Sequence, residues 1–214
     1  MIAVVDYCKG NLKSVQRGLA AVGGEAEIVS DPARIASAQA IVLPGVGAFA
    51  DASASMLQSG QMEVIRERIA QGVPFLGICL GLHLLFAEGT EGGNPTAPGL
   101  GVIPGVVDRM HSHDESGAFY KVPHVGWNTI EPAVGSNWDA CRLLAGIPEG
   151  EYFYFTHSYI ACESECMVAT TQHSVAFPSV VQRGNAYGVQ FHPEKSSDAG
   201  LAVLRNFMSI VKEG

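Results

Sequence analysis

The chain has 214 residues, 47% of them hydrophobic, and carries 21 acidic against 13 basic side chains for a net charge of −8. Such a chain can bury a large core, and its length fits one domain or at most two. The acidic balance, with no block of consecutive Lys or Arg, argues against a nucleic-acid backbone as partner.

Met1 to Asp6 enter an apolar run with no basic region before it and no small-residue cleavage site after it, so no secretory signal is expected. No apolar stretch reaches the roughly 18 residues of a membrane span. A soluble, cytoplasmic protein with no membrane partner is the expectation. Five cysteines, an odd number without an export signal, should remain thiols.

Strand-like and helix-like runs alternate through the first half. Residues 2–6 (IAVVD) read as a strand, and Leu12, Val15, Leu19 and Val22 recur at helical spacing before Gly23 and Gly24 stop the run. The pattern repeats with a strand at 25–29 and a short helix capped by Asp31 with Pro32 as its first residue. A strand at 40–43 follows, then a helix through Met62, Ile65 and Ile69. Residues 73–78 (VPFLGI) are apolar without alternation, as expected of a strand covered on both faces, and LGLHLLFA after Cys79 reads as a buried helix. After Glu88 comes a loop, GTEGGNPTAPG, and then short strands to Gln190, expected to extend the same sheet as antiparallel hairpins. From Gly200 to Lys212, Leu201, Leu204, Phe207 and Val211 share one helical face. The fold class is α/β, a mainly parallel central sheet flanked by helices with an antiparallel extension, in one domain over 1–214.

GICLG, from Gly77 to Gly81, lies between the buried strand and the buried helix and has the form of a nucleophile elbow. The sharp turn strains the central residue, and side chains at the flanking positions would collide with neighbouring elements. Cys79 would then project its sulfur into solvent, with the positive end of the helix favouring the thiolate and Leu80 N–H available to an oxyanion. The bland alternative is a small buried hydrophobe.

A thiol nucleophile needs an imidazole and a group that orients it. His192 stands in YGVQFHPEKS at the end of a strand-like run, and Glu194 follows two residues on across Pro193. In an extended segment the two side chains point the same way. PGVGAF, from Pro44 to Phe49, follows a strand, and its glycines allow backbone N–H groups to face a developing negative charge. The stretch also reads as G-x-G-x-x-A, but Pro44 and the lack of an acidic ribose partner disfavour a dinucleotide. Cys162, Cys166, His157 and His173 lack zinc-like spacing, so no metal and no cofactor are expected. His111 and His113 fall in a polar loop.

Together DYCKGNLKSV (6–15), LPGVGAF (43–49), GICLG, PHVGWN (123–128), YFTHSY (154–159) and YGVQFHPEKS (187–196) resemble class I glutamine amidotransferases, and more closely the glutaminase subunits of imidazole glycerol phosphate synthase. The resemblance spans nearly the whole chain and implies a flavodoxin-like sheet. It implies a glutaminase that takes glutamine as substrate and feeds ammonia to a β/α-barrel synthase subunit in histidine biosynthesis, as a heterodimer. By position, Cys79, His192 and Glu194 match the catalytic triad, and Gly45, Val46 and Gly47 the oxyanion strand. Ser158 and Tyr159 match glutamine-holding positions. Asn11, Pro123, Trp127, Tyr154 and Lys195 match positions that look toward the synthase. Trp127 and Tyr154 would otherwise be core aromatics, and Lys195 a solvated charge.

The chain departs from the family at His83, where a glutamine that contacts substrate is usual and where the imidazole is expected either to hydrogen-bond the substrate in its place or to be a satisfied helix histidine, and at Cys8 and Lys9, in a loop expected to face the partner. These departures keep two alternatives open: a related subunit serving another acceptor such as a nucleotide sugar, and a catalytically silent regulatory subunit.

Overall fold

The computed structural model describes residues 1–8, 10–93 and 96–213. The expected departure at Lys9, and Asn94 and Pro95 of the expected loop, lie outside these. In chain order the elements are β1 (Ile2–Val5), α1 (Leu12–Ala21), β2 (Ala26–Val29), α2 (Pro32–Ala36), β3 (Ala40–Gly45), α3 (Phe49–Ser59), α4 (Gln61–Ala70), β4 (Phe75–Cys79), α5 (Leu80–Leu85), β5 (Phe86–Gly89) and β6 (Ala97–Pro98). They continue with β7 (Ile103–Arg109), β8 (His124–Thr129), β9 (Glu131–Pro132), β10 (Tyr152–His157), β11 (Tyr159–Ala161), β12 (Met167–Gln172), β13 (Ala176–Arg183), β14 (Ala186–Val189) and α6 (Ser197–Glu213).

An eight-stranded sheet runs β2-β1-β3-β4-β14-β13-β12-β9. Pairings from β2 through β14 are parallel, and those among β14, β13, β12 and β9 are antiparallel. The unbroken apolar runs follow from burial on both faces. In β1, Ile2 and Val4 join one core cluster while Ala3 and Val5 join the other, and β3 divides the same way, Ala40 and Val42 against Ile41 and Leu43. One cluster takes Val15 and Leu19 of α1 with Leu204 and Phe207 of α6; the other takes Met56 of α3 and Ile65 of α4. Asp31 caps α2 as expected, its carboxylate accepting from Ala33 N–H at 2.9 Å.

Three features differ from the sequence expectation. The single helix expected after β3 is two, broken at Gly60, whose φ of 77° only glycine adopts without strain. The first of them, α3, is built largely of Ala and Ser, and buries Phe49, Ala52, Ser53 and Met56 at helical spacing. Second, α5 ends at Leu85, and Phe86 and Ala87 enter β5. Third, among the described residues only β13, β12 and β9 extend the main sheet by antiparallel pairing. The strands β8 and β10 pair with each other, and β11, β7, β5 and β6 form a further sheet. In β10, Phe153, Phe155 and His157 are buried against the core while Tyr152 is exposed.

Among the described residues no helix is long and apolar enough to cross a membrane. The carboxyl ends of the adjacent parallel strands β3, β4 and β14 deliver Gly45, Cys79 and the segment leading to Gln190 and His192 to one edge of the sheet, where open α/β sheets carry their ligands.

Candidate active site

Cys79 is the last residue of β4 and α5 begins at the next residue, so strand passes into helix with no loop. The turn puts Cys79 at φ 54°, ψ −107°, a conformation that costs a non-glycine residue about 1–3 kcal/mol. The flanking glycines are demanded by backbone contact. A Cβ on Gly77 would lie 2.3 Å from the Gly81 carbonyl oxygen, and one on Gly81 would lie 1.8 Å from the Leu43 carbonyl oxygen of β3. The sulfur does not project into solvent as the sequence suggested. Cys79 is only 7% exposed and sits in the wall of a cavity of about 400 Å³. Its Sγ has the Thr156 carbonyl at 4.0 Å and the Gln190 amide nitrogen at 3.7 Å.

His192 and Glu194 stand together. Nδ1 donates to Glu194 Oε1 at 2.9 Å, and both side chains are almost completely buried. Residues 193–195 form a 3-10 turn opened by Pro193, so the pairing comes from a tight turn rather than from the extended segment expected. Ser196 Oγ accepts from Tyr154 N–H and donates to the His192 carbonyl, tying this turn to β10. Burial alone would make the imidazole give up its proton, but Cys79 and Glu194 outweigh it and push the pKa up to about 10. Among the described residues the outer nitrogen, Nε2, has no partner in hydrogen-bond geometry. Cys79 acts on the ring both through the approach of its sulfur as a hydrogen-bond acceptor and through charge.

Gly45, Val46 and Gly47 lie beside Leu80. Gly45 pairs in register with Cys79 across β3 and β4, and a Cβ there would sit 2.3 Å from Tyr7 Oη and 2.7 Å from Leu80 Cβ. Val46 and Gly47 line the cavity together with Leu80, His83, Ser158 and Tyr159, so the expected oxyanion and substrate positions converge on the nucleophile. Burial drives the hydroxyl pKa of Tyr7, under this loop, well above its usual range, and the nearby Cys79 and Asp6 add to the effect.

Glu91, Gln190 and His124 are not evident as site residues from the sequence, and His157, His173 and Cys162 are weighed there only as metal ligands. Glu91 lines the cavity and accepts from Phe49 N–H at the start of α3. Gln190 bridges His83 and Cys79. His157 packs against His124, Nδ1 of His124 lying 3.1 Å from its Nε2, while His124 stacks on His173 at 4.2 Å. Burial holds His83 and His124 near a pKa of about 4 and puts His157 well below the usual value, so these rings are neutral at pH 7. Cys162 is exposed and its Sγ accepts from Val106 N–H.

Residues 3–211 match the family model for class-I glutamine amidotransferases. The chain belongs to the class-I glutamine amidotransferase family. Relatives agree over the whole length. The chain is 48% identical to the imidazole glycerol phosphate synthase subunit HisH of Moorella thermoacetica, covering 99% of this chain and 95% of that one. It is 44% identical to the subunit of the same name from Methanothermobacter thermautotrophicus, covering 99% and 100%. A crystal structure described as a glutamine amidotransferase superposes with a TM-score of 0.73 at 21% identity, covering 99% of this chain and 100% of that one. The structure of PurLQS from Thermotoga maritima gives 0.71 at 18%, covering 98% and 97%. These last two bear on the fold.

On this amidotransferase the residues expected to face a partner divide. Trp127 is 52% exposed and Val125 and Tyr152 are open on the same β8–β10 pair, so Trp127 is not a core aromatic. Tyr154 meets the Trp127 ring edge-on at 6.2 Å and carries the exposed Lys195 over its own ring at 5.8 Å. Pro123, at the start of this pair, borders the cavity. Asn11 turns inward instead, its amide donating to Glu194 Oε1 at 3.4 Å, so it touches the orienting carboxylate from the start of α1. Cys8 is exposed, at φ 73°.

Proposed function

We propose that this chain is the glutaminase subunit of an imidazole glycerol phosphate synthase, a single domain that hydrolyses glutamine and passes ammonia to a cyclase subunit. The observation that carries the reading is the buried His192–Glu194 pair beside a cysteine held at the strand-to-helix turn, on the wall of a cavity. The full-length likeness to HisH subunits supports the choice of acceptor.

In this reading the Cys79 sulfur attacks the side-chain amide carbon of glutamine and a carbon–sulfur bond forms. The oxyanion is met by Leu80 N–H and the N–H groups of Gly45 to Gly47. The imidazolium of His192 gives its proton to the departing nitrogen as the carbon–nitrogen bond breaks, releasing ammonia. Water then attacks the thioester, His192 takes the proton back, and glutamate leaves with the sulfur restored. Glu194 stabilises the imidazolium throughout and Asn11 steadies the carboxylate. Ser158 and Tyr159 hold the substrate's amino-acid end.

Ammonia in neutral water is mostly ammonium, which is no nucleophile, so the acceptor must be docked close by. The exposed Trp127 and Lys195 with the half-buried Tyr154 between them give that partner a surface, and the family resemblance makes it a β/α-barrel in a cytoplasmic heterodimer acting as hydrolase and lyase. The test is to combine Cys79→Ala protein with the cyclase subunit and acceptor. Glutamine-dependent turnover should vanish while ammonium-dependent turnover persists; unchanged use of glutamine would remove Cys79 as nucleophile.

A further inference from the structure

Gln190 is fully buried between the end of β14 and His192, and its side chain spans the space between the nucleophile and His83. Its Oε1 lies 2.7 Å from His83 Nε2 and its Nε2 lies 3.7 Å from Cys79 Sγ. A carboxamide accepts at one end and donates at the other, so the two contacts are coupled: whichever end His83 fixes, the other faces the sulfur. His83 is neutral in its buried site and carries one N–H. With that proton on Nε2, His83 donates to Oε1 and the amide N–H of Gln190 is left pointing at Cys79.

Besides the His192 imidazole, which faces the sulfur as its base, the Thr156 carbonyl lies near Sγ; it can only accept and so suits the thiol. The Gln190 N–H can only donate and so suits the thiolate. A hydrogen bond to the charged form favours that form. The reversed carboxamide would turn its oxygen toward the sulfur and oppose the negative charge.

We propose that His83 and Gln190 form a hydrogen-bonded relay that keeps the donating end of the Gln190 carboxamide on Cys79 and so stabilises the attacking thiolate. Gln190 touches the reacting sulfur and is a catalytic residue; His83 acts through it and is a positioning residue. The ring at the fourth position after the nucleophile thereby serves the enzyme's own sulfur rather than the substrate. The inference deepens the proposed function and rests on Cys79 being its nucleophile.

Alkylation by iodoacetamide, followed from pH 5 to 10 by peptide mass spectrometry, reads the thiolate at Cys79 directly, with the exposed Cys8 and Cys162 as references in the same sample. In His83→Leu and Gln190→Met the midpoint for Cys79 should rise by about one pH unit, and kcat for glutamine with the cyclase subunit present should fall about tenfold, the effect of a lost hydrogen bond to a charged group. KM should stay within about twofold, and Cys8 and Cys162 should not move. His83→Gln, which again offers Oε1 a donor, should recover most of the loss seen in His83→Leu. Folded His83→Leu with an unmoved midpoint and an unchanged kcat overturns the relay, as does a raised KM with both unmoved, which would place His83 on the substrate. If Gln190→Met does not fold, the two His83 variants carry the same readout. Failure of the underlying reading looks different: Cys79→Ala would then still consume glutamine.

Discussion

Gly81→Ala tests whether the elbow's geometry is imposed by the backbone. The added methyl would be built 1.8 Å from the Leu43 carbonyl oxygen and 3.0 Å from its carbon. Ordinary contact begins near 3.4 Å, so α5 and β3 must part by about 1.5 Å at a point where all six residues of α5 are buried. No flexible side chain can absorb this, because the obstacle is main chain. Overpacking of this kind costs about 1–3 kcal/mol, with the upper end expected where backbone must move. In a chain of this size that lowers Tm by roughly 6–12 °C. Cys79 hangs on the displaced turn, and a misplacement of about 1 Å costs on the order of a hundredfold in rate. Thermal denaturation and glutamine turnover with the cyclase subunit should show both losses together. A Gly81→Ala protein with unchanged Tm and turnover would refute the claim that close approach of β3 sets the nucleophile's position.

Glu194→Gln keeps an acceptor for His192 but removes the charge, and should reduce kcat for glutamine about ten- to hundredfold, the rate equivalent of a charge-assisted hydrogen bond; an undiminished rate in steady-state assays would exclude Glu194 as orienter. Stability should fall on both sides of neutrality. His83 and His124 are held near a pKa of about 4, below the unfolded value, so their contribution is present above pH 6.5 and is lost as pH falls toward 4, on the order of 3 kcal/mol for His83. His192 is raised to about 10, so its contribution is complete below pH 6.5 and is lost as pH rises through 10. Tm measured from pH 4 to 11 should therefore form a dome, and a flat profile would contradict both assignments. Trp127→Ala, at a half-exposed ring, should leave Tm nearly unchanged yet weaken binding of the cyclase subunit at least about tenfold by calorimetric titration; unaltered affinity would move the interface elsewhere.

Much of this arrangement is legible in the sequence because it depends on local chemistry. The unbroken apolar runs of β3 and β4 report burial on both faces, and Gly77, Cys79 and Gly81 sit at the one spacing a strand-to-helix elbow tolerates. Features set by distant contacts are less visible. The sequence does not say that β8 and β10 leave the main sheet, because alternating exposure looks the same in an edge hairpin and in a separate layer. Helix α3 hides because Ala and Ser carry little hydrophobic signal, although their small size is what lets Phe49 and Met56 reach the core. Resemblance alone points Asn11 toward the partner, and its contact with Glu194, 183 positions along the chain, is invisible in the sequence. Gln190 lies within a recognisable motif, but its tie to His83 exists only where β14 and α5 lie side by side.

The most direct test is covalent trapping. Incubation with a glutamine analogue that carries a chloromethyl ketone in place of the carboxamide, in the presence of the cyclase subunit, should attach one molecule to Cys79, and loss of glutamine turnover should track that adduct while ammonium-dependent turnover survives. Full glutamine turnover with Cys79 modified, or inactivation that follows an adduct at Cys8 or Cys162 instead, would contradict the assignment of the nucleophile.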